Sequence, residues 1–163
     1  MPDHESTIAT YREQEETLVF MGFDQAAAWS LGSRIAEKAL AAGHAVVVDI
    51  RRPGFVLFTA ALPGSTPDQA VWAAKKAAVV LRLEKSSALA AAQFEAMDFD
   101  PSSIGWLSKE EYALTPGSFP IRVQGVGVVA AVSVSGLSSE GDHGLIVDTL
   151  REWLAIPDAE ARG

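Results

Sequence analysis

Cysteine is absent from the 163-residue chain. Its chemistry therefore involves no disulfide framework, no thiolate-held zinc or haem and no cysteine nucleophile. Basic residues are scarce, with 13 Lys and Arg against 21 Asp and Glu for a formal net charge of −8. Binding nucleic acid takes a basic face that displaces phosphate counterions, so that partner is excluded. Long apolar runs are lacking too. The longest, residues 126–134, is rich in small residues and too short to span a bilayer as a helix. The opening residues Met1-Pro2-Asp3-His4-Glu5 have neither the cationic start nor the apolar stretch of a leader peptide. A cytoplasmic protein without a membrane partner is expected.

What is present suits one globular core. Apolar residues make up 48% and charged residues 21% of the chain, and four tryptophans with seven phenylalanines supply large core side chains. One domain is expected over residues 1–156, followed by a flexible tail over 157–163.

Residues 6–16 read as a short charged helix, and 17–22 as either a short strand or an entry to the next helix. Asp24 can cap a helix running to about Ala42 and closed by Gly43. Ala28, Leu31, Ile35 and Ala39 form its apolar stripe, and Gly32 and Ala36 beside the stripe permit close approach to a sheet. Residues 45–50 and 55–62 alternate as strands across the turn Arg51-Arg52-Pro53-Gly54, which predicts an antiparallel hairpin. Thr66-Pro67-Asp68-Gln69 is a capping box with proline at the first helical position, opening a helix to about Leu83. A shorter helix is expected over 88–97, a loop over 98–106 and a brief helical turn at Ser108-Lys109-Glu110-Glu111. Gly117-Ser118-Phe119-Pro120-Ile121-Arg122 reads as a glycine/proline loop. It leads into a valine-rich strand whose two faces, Val126 to Val134 and Gly127 to Ser135, are both largely apolar. Such a strand belongs in the centre of a sheet covered on both sides. Ser138 or Ser139 caps a last helix to about Leu154. Strand–helix alternation is too irregular for a doubly wound fold. The expectation is an α+β domain with a mainly antiparallel sheet of about five strands flanked by helices.

No G-x-S-x-G elbow is present, and Gly125-Val126-Gly127 lies at a strand start rather than in a strand-to-helix turn, so it is no dinucleotide fingerprint. His4, His44 and His143 share no metal-ligand spacing. A structural or solvated role is expected for each, with an iron-ligating or proton-donating imidazole at His143 as the alternative. Arg51, Arg52, Lys75, Lys76, Arg82 and Arg122 fall at element ends or near glycine turns. Brought together they could hold a carboxylate or phosphate, and kept apart they would pair with surface Asp and Glu. Trp72, one helical turn before Lys75 and Lys76, fits either a core anchor or a flat wall for a ring ligand.

Several blocks recur together: Arg51-Arg52-Pro53-Gly54, Leu57-Phe58 and Ala61-Leu62-Pro63-Gly64-Ser65-Thr66-Pro67-Asp68; then Trp72, Lys76, Val79-Val80, Arg82 and Ser86-Ser87. Gly117 to Arg122, Gly125-Val126-Gly127-Val128, Val134-Ser135-Gly136-Leu137 and Asp142-His143 complete the set. In this order they resemble, throughout the chain, the GlcG/HbpS-like haem-degrading domain superfamily, in particular a branch of small bacterial proteins with a fungal cytosolic relative. The resemblance implies a profilin-like or PAS-like fold and a homo-oligomer. It also implies haem or another anionic tetrapyrrole-like ring as ligand, with oxidative haem cleavage as the reaction if one occurs. Under that reading the ligand contacts would come from Arg51, Arg52, Trp72, Lys76, Ser118, Phe119, Arg122 and His143. The alternative is a non-catalytic assembly or adaptor protein that binds a protein partner, since no complete catalytic set is visible. Two departures weaken histidine-mediated iron chemistry. Thr115-Pro116 stands where relatives often carry His-Gly, and Lys85 stands before Ser86 where histidine is expected.

Overall fold

The computed structural model describes residues 3–155; the expected tail over 157–163 lies outside them. The elements run α1 (His4–Thr17), α2 (Gln25–Ala41), β1 (Val47–Arg52), β2 (Phe55–Ala61), α3 (Pro67–Leu83), α4 (Ser87–Ala96), a 3-10 turn at Pro101–Ile104, β3 (Ser118–Val123), β4 (Gly127–Ser135) and α5 (Ser139–Ala155). The strands form one antiparallel sheet in the order β2-β1-β4-β3. Helices α2 and α5 cover one face and α3 covers the other. Helix α4 packs beside α3 and β3, and α1 lies against α4.

Local chemistry sets the helix starts. The Asp24 carboxylate accepts from Ala27 N at 2.8 Å, and Thr66 with Gln69 makes the reciprocal capping box, so each satisfies otherwise orphaned N–H groups. The α2 stripe of Ala28, Leu31, Ile35 and Ala39 is fully buried against the sheet. Gly32 lets this helix come close, because the Phe58 ring occupies the space that a Cβ would need.

β4 is the expected central strand, buried on both faces from Ala130 to Ser135. Ala130, Val132 and Val134 join the main core with Val46, Val48, Ile50, Phe119, Ile121 and Ile146, whereas Ala131 faces Ala77 and Val80 of α3. Burying a Leu or Ile of this kind contributes about 1.5–3 kcal/mol, which makes this two-sided core the main support of the sheet.

The sheet has four strands where about five were expected. The candidate at 17–22 shrinks to one parallel bridge between Phe20 and Val123, where Phe20 N donates to Arg122 O at 2.8 Å. Helix α1 runs through Thr17 and Asp24 already caps α2, leaving too few residues between them for a strand. The segment expected as a loop, 118–122, is itself strand β3. Its Phe119, Ile121 and Val123 alternate into the core, and an edge strand tolerates Pro120 because half its N–H groups point away from the ladder. The first hairpin is tighter than expected. Arg51 and Arg52 belong to β1, past a bulge at Ile50/Arg51, and only Pro53-Gly54 turns.

Candidate functional site

The site begins with a charge in a hydrophobic position. Ala73, Lys76, Ala77 and Val80 recur at helical spacing on the buried side of α3, so the fold drives the Lys76 ammonium toward the sheet, where the residue is 2% exposed. All three of its donors are used. Nζ donates to Val134 O at 2.6 Å and to Pro116 O at 3.4 Å, and pairs with Asp142 Oδ2 at 3.2 Å. Asp142 stands in the first turn of α5, where the helix end favours negative charge, and its Oδ1 accepts from Leu137 N at 2.8 Å. Burial pushes Lys76 down and Asp142 up, and each partner's charge opposes the shift of the other. Gly117 completes the pocket floor. Its φ of +129° is left-handed, and a Cβ there would strike the Lys76 ammonium and lie 2.8 Å from Val134 O.

Above this pair opens a cavity of about 250 Å³ lined by Gln69, Trp72, Thr115, Ser135, Gly136, Leu137 and Ser139 together with the Lys76–Asp142 pair. Gln69 is occupied, since its Nε2 donates to Ala45 O and its Oε1 accepts from Thr66 N. The hydroxyls of Thr115, Ser135 and Ser139 have no hydrogen-bond partner among the described residues. Trp72 is 44% exposed, with the Lys75 ammonium 5.6 Å from its ring centroid. The cavity thus offers a flat aromatic wall, unused hydroxyl donors and a charge-neutral floor.

Among the residues proposed from sequence, Trp72 and Lys76 line this cavity and the others stand elsewhere. Arg51 forks onto Asp49 on the same strand, at 2.7 and 2.8 Å. Arg52 lies over the Phe55 ring at the exposed end of the hairpin. Arg122 donates to Glu84 O at 2.8 Å and faces Glu15 at 3.5 Å. The register explains the separation: Arg51 lies opposite Ala131 and Arg122 opposite Val128, whereas the cavity sits at Ser135. Four or more residues of strand, roughly 13 Å, come between. Ser118 is wholly buried, its Oγ accepting from Ser133 Oγ at 2.8 Å and its N donating to Ser87 Oγ at 3.0 Å. Phe119 is equally buried, within the main core.

His143 follows Asp142 but turns the other way. Its ring packs against Tyr11 and Phe119, and Nε2 lies 2.7 Å from Gln14 Oε1. Burial, aided by Arg151, lowers its pKa from 6.5 to about 4, so the imidazole is neutral at pH 7. An iron site would need a histidine, tyrosine, methionine or thiolate facing the ring. The cavity lining has none, and Thr115 occupies the place where the family resemblance expects histidine. No cluster of three or more His, Asp or Glu suited to a metal occurs among the described residues. The cavity therefore fits a ligand's polar edge and one flat face, and does not fit axial ligation of iron.

Sequence reasoning missed Asp142, Thr115, Ser135 and Ser139 as a group. A signal for the first was available. A lysine inside an alanine-rich core stripe has to find a buried acid.

Comparison with known proteins agrees with this architecture. Residues 23–151 match the family model described as haem degrading protein HbpS-like. A UPF0303 protein of Acidobacterium capsulatum is 42% identical over 143 residues, covering 88% of this chain and 87% of its own. The crystal structure of the Ybr137w protein superposes with a TM-score of 0.82 at 24% identity, covering 91% of this chain and 87% of that one. A PduOC–haem complex superposes with a TM-score of 0.65 at 17% identity, covering 82% of this chain and 94% of that one. At these identities the two structures speak for the fold alone. No helix among the described residues is long and apolar enough to cross a membrane.

Proposed function

The chain belongs to the HbpS-like family of haem-degrading proteins, and from that premise we propose that it is a cytoplasmic homo-oligomeric binding domain for a carboxylate-bearing planar ring of the haem class. The ring is held by its edge and one face, without an iron ligand from the protein. The observation that carries this reading is the set of three unused hydroxyls, Thr115, Ser135 and Ser139, grouped beside the half-exposed Trp72. Hydroxyl groups donate to carboxylates, and an indole gives a ring a flat, apolar contact. Ligand-enclosing pockets measure about 300–1,000 Å³, so a cavity of about 250 Å³ takes the ring's carboxylate edge while the macrocycle lies outside against Trp72. The neutral Lys76–Asp142 floor positions the cavity and does not itself bind the ligand, because the ammonium has no donor left. No group in the lining is placed to activate oxygen or cleave a ring, so the reading is one of binding.

The test is a comparison of hemin with metal-free protoporphyrin and its dimethyl ester. Hemin and protoporphyrin should saturate one site per chain with similar affinity, and the ester should bind far more weakly. Trp72→Ala and Ser135→Val should each weaken binding, whereas Thr115→His should shift the Soret band of bound hemin by supplying the missing ligand. Absence of saturable binding, or strong preference of the unaltered protein for hemin over protoporphyrin, would overturn the proposal.

A further inference from the structure

The turn between β4 and α5 gives the cavity a second set of donors. Ser138 caps the helix: its Oγ accepts from Gly141 N at 3.0 Å, and its carbonyl takes the first helical bond, from Asp142 N at 2.8 Å. Ser139 and Glu140 are thus the first two helical residues, and neither amide has a hydrogen-bond partner among the described residues. Such amides point back along the axis, here at the positive end of a 17-residue helix. Gly136, Leu137, Ser139 and Asp142, the residues around that end, line the cavity. The turn is this tight because position 136 is glycine. Its φ is +139°, and a Cβ there would strike Ala45 O and Gln69 Nε2.

A buried hydroxyl faces the same opening. Ala131, Ser133 and Ser135 alternate onto the α3 side of β4. Ser133 donates its hydroxyl to Ser118, whereas Ser135, only 5% exposed, has no partner among the described residues and borders the cavity. A buried hydroxyl ordinarily finds a partner, so an unused one beside two unused amides marks a place for an acceptor. Charge agrees. Asp142 is paired with Lys76 at 3.2 Å. Glu140 turns its carboxylate toward the Tyr11 phenol of α1, whose proton burial and this charge both help to retain. On a chain of −8 the cavity lining therefore carries no net charge.

We propose that the start of α5 is a subsite for one carboxylate group, whose oxygens take the Ser139 and Glu140 amides and the Ser135 hydroxyl. This rests on the ring-binding role proposed above, and deepens it by naming the element that holds the ring's edge and the charge it admits. A carboxylate brings a single charge and about four lone-pair sites, which these amides satisfy together with the hydroxyls of Thr115, Ser135 and Ser139. A phosphate monoester brings a charge of about −1.5 to −2. No cation in the lining is free to answer the second charge, because the Lys76 ammonium already donates to Val134, Pro116 and Asp142. The subsite therefore selects a carboxylate over a phosphate.

The experiment follows the backbone amide shifts of the full chain by NMR during titration with phenylacetate, phenylacetamide and benzyl phosphate at constant ionic strength. Phenylacetate should saturate and move the Ser139 and Glu140 amides most, while the neutral amide and the phosphate should each bind about tenfold more weakly. Ser139→Pro removes an amide at the first helical position, where proline is tolerated, and Ser139→Ala removes the hydroxyl alone. Proline should weaken phenylacetate about tenfold relative to alanine, with unchanged far-UV circular dichroism in both. Ser135→Ala should weaken it several-fold, and reads the same subsite if the proline variant misfolds. Equal affinity in Ser139→Pro and Ser139→Ala with Ser135→Ala unaffected, or a titration that leaves the Ser139 and Glu140 amides unmoved, would overturn the subsite. Tighter binding of the phosphate would overturn the choice of carboxylate. If protoporphyrin binds as proposed above but is indifferent to Ser139→Pro, the subsite falls and the ring-binding role stands. If phenylacetate binds at Ser139 and Glu140 and no ring does, the reverse holds.

Discussion

Lys76 is a charge held in a position built for a hydrocarbon, and its worth depends on which partner is removed. Lys76→Met leaves Asp142 buried without its cation and should destabilise the fold by about 3–5 kcal/mol, seen as a lower urea midpoint. Removing both charges in Lys76→Met/Asp142→Asn should recover much of that loss, because the pair itself adds little once its desolvation is counted. A double variant no more stable than the single one would mean that the carbonyls of Val134 and Pro116, not Asp142, dominate the hold on the ammonium. His143 makes the complementary case of a group kept neutral. Its folded pKa of about 4 lies below the ordinary 6.5, so as pH falls through that window the unfolded chain takes up the proton first and stability is lost. The loss amounts to about 3 kcal/mol once pH reaches the folded value. Glu15 and Asp142, whose carboxyls are raised by burial, act in the opposite sense in acid, since the folded state then binds protons first. The clean measurement is therefore a difference. Unfolding curves for the unaltered protein and His143→Gln, which keeps an amide for Gln14, should diverge between pH 7 and 4.5, with the variant losing less. Parallel curves would show that the imidazole is not held neutral.

At the scale of elements, what could be read from the sequence depended on whether one stretch carried its own instructions. Helices α2, α3 and α5 were legible because cap and stripe are local: Asp24 to Ala27, Thr66 with Gln69, and Ile146, Leu150 and Trp153 on one face. β4 was legible because two apolar faces in a row require burial on both sides. β3 was not, since Gly117 and Pro120 signal a loop and only the edge position makes that proline harmless. The fifth strand failed for a reason of tertiary economy: Phe20 gains its bridge to Val123, but α1 and α2 close in on either side. The candidate site divides in the same way. Trp72 and Lys76 lie one turn apart on a single helix and could be proposed together, whereas Asp142, Ser135 and Thr115 come from α5, β4 and the segment before β3. The expected convergence of Arg51, Arg52 and Arg122 failed on register, which no single segment encodes. Each found an acid, a carbonyl or an aromatic ring near at hand. Lys85, where histidine was expected, likewise spends its charge locally, donating to Gln93 Oε1 at 2.8 Å.

For the whole molecule the governing quantity is its net charge of −8, which sets how copies meet. Association through an apolar surface contains attraction that salt does not screen, opposed by a repulsion between the net charges that it does. Raising NaCl from 20 to 300 mM shortens the Debye length from about 20 Å to about 6 Å. The proposed homo-oligomer should therefore tighten several-fold, the reverse of an interface held by ion pairs, which loosens as its charges are screened. Lowering pH toward the sequence pI of about 4.8 should act in the same direction by removing net charge, until the His143 limb begins to erode the fold itself. Sedimentation at a fixed low-micromolar concentration across the salt series measures this directly. An assembly that weakens steadily with salt would instead place ion pairs at the centre of the surface where copies meet.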